Sequence, residues 1–140
     1  MRKLILGGLA ALLAVGILST AALAGDVHKV PFLRDQVSSC TTGAIAGTPT
    51  PSVAEIQEND GVITTKVKLK AAVPNTTYSV FVVQTPSGAD CNVVDGTITT
   101  DKGGNGNLIL QEPLLPGSAD AFVYVFDGVD LLVTEDVVFG

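Results

Sequence analysis

Tryptophan is absent from this 140-residue sequence, and methionine occurs once, at position 1. Histidine also occurs once, as His28, and cysteine twice, as Cys40 and Cys91. One imidazole and two thiols cannot assemble a four-ligand zinc site or a blue-copper centre. Positive charge is scarce: residues 25–140 hold six Lys and Arg against fourteen Asp and Glu, a net charge of −8. Without clustered cations to neutralise phosphates, nucleic acid and anionic membrane surfaces are excluded as partners. No stretch of 25–140 keeps a 3.6-residue apolar period over a useful length. What is abundant there is Val, Thr and Gly, at 18, 13 and 12 residues, a composition of strands and turns.

Residues 1–24 read as a signal peptide. Arg2 and Lys3 supply the positive start, an apolar run extends from Leu4 to Leu18, and Ala22-Leu23-Ala24 places small residues at −3 and −1 of a cut before Gly25. The alternative is an uncleaved anchor, since the run approaches the roughly 20 residues that span a bilayer. Gly7, Gly8, Gly16, Ser19 and Thr20 weaken that span, and it is the one route by which a membrane enters the reading. Residues 25–140 are then a single exported domain, large enough for one core. Two cysteines in an oxidising compartment predict one disulfide, Cys40–Cys91. Closing a loop of this size restricts the unfolded chain by roughly 4 kcal/mol.

Along the domain, Pro31 interrupts a short edge segment over 29–33, and 38–51 (SSCTTGAIAGTPTP) reads as a loop pinned by Cys40. The clearest strand is 62–70 (VITTKVKLK), with Ile63, Thr65, Val67 and Leu69 on one face and Lys66, Lys68 and Lys70 on the other. Asn59-Asp60-Gly61 before it is a hairpin turn. Residues 78–84 (YSVFVVQ) are apolar on both faces, which predicts a central strand. Further strands are expected over 93–100, 107–111, 120–127 and 130–139. The whole predicts an all-β domain, an antiparallel two-sheet sandwich of about seven strands.

Ala72-x-Pro74-x-Thr76-x-Tyr78, followed by Val80 and Val82, resembles the L-x-P-x-T-x-Y strand start of fibronectin type III domains. The resemblance implies a tyrosine corner in which Pro74 and Thr76 shape the turn and the Tyr78 hydroxyl bonds back to upstream backbone. Ala72 departs from the family's Leu, and the sixty-odd residues after Tyr78 exceed what that family has left to place. Gly96–Asp101, Gly104-Asn105-Gly106 and Pro116-Gly117 are similar to secreted microbial immunoglobulin-like modules, which implies an immunoglobulin-like sandwich and is silent on function. A fainter similarity, in the Thr-x-Asp-x-x-Gly turn, is to the enediyne-binding apoproteins and implies a small-ligand cleft between sheets. Those proteins carry two disulfides and this chain has cysteines for one.

Groups able to carry chemistry are few. His28 would have to serve any Ser-His-Asp or Cys-His arrangement, and it lies four residues into the mature chain. The carboxylate pairs Asp127/Asp130, Glu135/Asp136 and Glu58/Asp60 sit at turns and lack the aromatic platforms a sugar hydrolase uses. Asp101, Asn105 and Asn107 bring oxygens into a Gly-rich turn but miss the EF-hand spacing, so whether calcium binds there is open. Phe122, Tyr124 and Phe126 alternate with Ala121, Val123 and Val125; one set fills the core, and the aromatic set is either covered or a contact face. No cofactor is implied. The expectation is a secreted, non-catalytic binding or structural module, its partner an unknown protein, envelope component or small ligand. The alternative is a small-ligand carrier.

Overall fold

The computed structural model describes residues 25–85 and 91–139; the signal-peptide reading of 1–24 falls outside the described residues. Among the described residues nine strands follow one another: β1 (His28–Ser39), β2 (Thr42–Asn59), β3 (Val62–Leu69), β4 (Thr77–Thr85), β5 (Gly96–Thr99), β6 (Gly106–Pro113), β7 (Asp120–Phe126), β8 (Leu131–Thr134) and β9 (Val137–Val138). Every pairing is antiparallel. The expected seven strands in two separate sheets differ from this arrangement. The hydrogen-bonded path is one sheet, β5-β4-β7-β8-β1-β2-β3-β6, with β9 beside β7. It curls until its two ends meet, so that it is nearly closed into a barrel.

The closing seam shows why it is not zipped by backbone bonds. A Cβ on Gly106 of β6 would stand 2.5 Å from Ile98 Cγ2 of β5. The bare glycine lets the two edge strands pack side chain to backbone. Buried Gln84 bridges the same gap lower down. Its Nε2 donates to the Pro113 carbonyl at 3.0 Å, and its Oε1 accepts from the Leu115 N–H at 2.7 Å.

Period-two alternation fills the interior. Ile63, Thr65, Val67 and Leu69 of β3 point inward and are buried, with Lys66 and Lys68 outside. Tyr78, Val80 and Val82 from β4, Val123 and Val125 from β7, Phe32 from β1 and Ile56 from β2 complete this core. Completely burying each such side chain contributes about 1.5–3 kcal/mol.

The stretch 38–51, expected as a loop, is instead strand on both sides of a turn at Cys40 and Thr41. β1 and β2 pair through Arg34↔Thr48, Val37↔Ala46 and Ser39↔Thr42, with register shifts after Pro31 and Arg34. Pro49 and Pro51 fit because β3 pairs with β2 only from Val53 onward. A strand with an open edge tolerates the missing N–H. Pro31 likewise precedes the short β1–β8 pairing, which begins at Phe32, so β1 is internal rather than an edge strand. The result is a β1–β2 arm that leaves the barrel near Asp35, whose φ is 54°. Its tip carries Cys40.

Candidate functional site

The arm folds back over the outer face of β4, β7 and β8. Register places Phe81, Tyr124, Val133 and Leu33 in one outward row across four strands, with Phe126 and Leu131 in the next row. The Cys40–Cys91 disulfide holds the arm tip, with a Cα–Cα separation of 5.5 Å. Gly43 seats it more closely still. The Gly43 N–H donates to Asp136 Oδ2 at 3.1 Å, and a Cβ there would lie 2.5 Å from the Thr134 carbonyl oxygen and 2.9 Å from Phe122 Cβ. Only a glycine fits. Beneath the tip, Leu33, Ala44, Val83, Cys91, Phe122 and Val133 form a second apolar cluster outside the barrel.

This cluster divides the aromatic stripe. Phe122 is 1% exposed, roofed by the arm. The burial has a tertiary cause, since strand alternation alone turns Phe122 outward. Tyr124 is half-buried and Phe126 is 39% exposed. The Tyr124 ring stacks on Phe81, with centroids 4.2 Å apart and planes within 8°. Its hydroxyl donates to the Cys91 carbonyl. Burial, with the Asp95 charge as the smaller cause, holds that phenol above its ordinary pKa.

Two adjoining hollows result. One, of about 210 Å³, lies between the disulfide and Phe122, Tyr124, Leu131 and Val133. The other, of about 400 Å³, is lined by Phe81, Asn92, Val94, Tyr124, Phe126 and Leu131. Asn92, Tyr124 and Leu131 belong to both, making one aromatic groove beside the disulfide. Sequence reading pointed to Phe81 as apolar surplus for a cleft or contact face and missed Leu131, Asn92 and Val94 as lining. The available signal was β4, whose second apolar face demanded a cover.

The corner residues stand elsewhere. The Tyr78 hydroxyl accepts from the Val73 N–H at 3.2 Å and donates to Asp130 Oδ2 at 2.7 Å. Thr76 Oγ1 donates to the Pro74 carbonyl at 2.8 Å. Asp130 also pairs with Arg34 at 3.3 Å. Burial first, and the Asp130 hydrogen bond second, push the Tyr78 phenol up to about 12.

The remaining candidates are occupied by turns. Asp101 Oδ1 accepts from the Gly103 and Asn105 N–H groups at 2.8 and 3.0 Å, and Asn105 Oδ1 from Ala71 at 3.4 Å. Asp127 Oδ1 accepts from Val129 and Asp130, and Glu58 Oε1 from Gly61. His28 starts β1 opposite Ile56, at the far end of that strand from the arm tip. Comparison of the chain with protein-family models, curated proteins and solved structures finds no match.

Proposed function

We propose that this protein is an exported, non-catalytic binding module, and that the aromatic groove beside Cys40–Cys91 takes a small, flat, apolar ligand. The observation that carries the reading is the Phe81–Tyr124 stack, held rigid by the hydroxyl bond to Cys91 and left open toward Phe126 and Val94. Ligand sites are concave and mainly apolar, with few polar groups. Here Asn92 and the Tyr124 hydroxyl, with Ser38 and Ser39 at the disulfide end, supply the polar contacts beside the aromatic and aliphatic lining.

Export is part of the proposal. Its supports are the signal-like residues 1–24 and a disulfide, which persists in oxidising compartments. Mass spectrometry of the exported protein should find Gly25 first. Kinship with immunoglobulin-like sandwiches is also proposed, supported by the Tyr78 hydroxyl turned back on Val73.

The groove is tested with N-phenyl-1-naphthylamine, an apolar aromatic dye whose fluorescence rises on leaving water. The wild type should enhance it. Val94→Asp and Phe126→Asp, both at exposed positions, should weaken binding at least tenfold while the circular dichroism spectrum is retained. Dye binding that is equal in all three proteins sinks the assignment.

A further inference from the structure

A separate feature lies at the other end of the same outer face. Asp120 opens β7 directly opposite Thr85, the last residue of β4, so their side chains leave the sheet on one side. The Ala119 N–H donates to the Thr85 carbonyl at 2.9 Å and holds that register. On the other flank, β9 pairs Val138 with Asp120 and Val137 with Ala121. Asp136, immediately before β9, therefore stands diagonally across from Asp120.

The oxygens here do not satisfy one another. Asp136 Oδ2 accepts from Gly43, but Asp136 Oδ1, Asp120 Oδ1 and Thr85 Oγ1 are buried without a partner. Thr85 is 2% exposed. Ser118 Oγ, two residues before Asp120, is a fourth such atom, and Gln36 Oε1 is the only other one among the described residues. A threonine hydroxyl beside a carboxylate ordinarily donates to it, and a buried acceptor left without a partner is destabilising. No Lys or Arg pairs with either carboxylate among the described residues. Oxygens alone, two of them anionic, are the donor set of a hard divalent cation.

We propose that Asp120, Asp136 and Thr85, at the junction of β4, β7 and β9, form a calcium site. Ser118 is the nearest further oxygen donor in sequence. No group of three or more acidic, His or Cys side chains converges among the described residues, so hydroxyl and water oxygens complete the shell. Two carboxylates place the affinity in the weak range of extracellular calcium modules, about 10⁻⁴–10⁻³ M. Because Asp136 also holds Gly43, calcium there ties the arm to the barrel and braces the roof over Phe122.

The test is calorimetric titration of EDTA-stripped protein with CaCl₂ at pH 7, alongside thermal melts in millimolar calcium. Wild type should bind and melt higher with calcium. Asp120→Asn should abolish both responses, and Thr85→Val should weaken binding several-fold. Asp136→Asn keeps an acceptor for Gly43, so its expected tenfold loss of affinity reports lost charge rather than a lost arm. Wild type that neither binds nor responds to calcium overturns the site. So does a response that survives in Asp120→Asn, or a carboxyl titration by NMR in which Asp120 holds a proton that calcium does not displace.

Discussion

Tyr124 donates its phenolic hydrogen to the Cys91 carbonyl while its ring lies flat on Phe81. One side chain thus joins the barrel wall to the disulfide, and it does so from the middle of the groove. Tyr124→Phe keeps the ring and removes the bond. It should destabilise the protein by about 1 kcal/mol, read by urea denaturation.

Removing the disulfide should cost more. The bridge spans 51 residues of sequence and pins the arm. Cys40→Ser/Cys91→Ser should lower stability by about 2–5 kcal/mol. It should also raise amide exchange at Ala44, which packs over Phe122. Thiol titration of the denatured wild type should find no free cysteine.

Gly43→Ala tests the arm without touching the bridge. The added methyl meets the Thr134 carbonyl oxygen at 2.5 Å, which is backbone that cannot swing aside. A loss of about 1–3 kcal/mol is expected, as for an overpacked core, together with greater exposure of Phe122. A stability equal to wild type would place the arm farther from β8.

Tyr78 makes a pH prediction. Its phenol is raised from 10.0 to about 12 in the folded protein. A group whose folded pKa is raised adds stability that is complete below its unfolded pKa and is lost as pH climbs through the folded one. Stability should therefore fall between about pH 10 and pH 12 beyond the decline seen in Tyr78→Phe. Absorbance near 295 nm should show Tyr78 ionising last or only on unfolding. The Tyr78→Phe substitution itself should cost about 1–3 kcal/mol, since it strands the Val73 N–H and removes one donor to Asp130.

The local grammar was legible where one strand carries its own pattern. β3 reads directly, because alternating Lys and aliphatic residues state which face is wet. The Asp60-Gly61 turn reads the same way, with both residues at positive φ. β2 did not read, because 45–49 in its arm half are exposed on both faces and Gly, Thr and Pro carry no periodic signal. β9 is two residues long and exists only through its bonds to β7.

Composition and alternation alone determine that this chain is all-β, that its core is built from every second residue, and that Cys40 and Cys91 have each other as the sole possible intramolecular disulfide partner. They do so because period two and residue counts are properties of the chain itself. Whether the sheet lies in two layers or rolls toward closure depends on how Gly96 and Gly106 meet Leu108 and Ile98 across the seam, a contact between strands consecutive in the chain but at opposite ends of the sheet. Whether Phe122 is surface or core depends on where the β1–β2 arm lands, and that is decided by Gly43, Asp136 and the disulfide together. The groove and the oxygen cluster draw on residues of separate strands, which is why tertiary packing, not sequence order, brings their residues together.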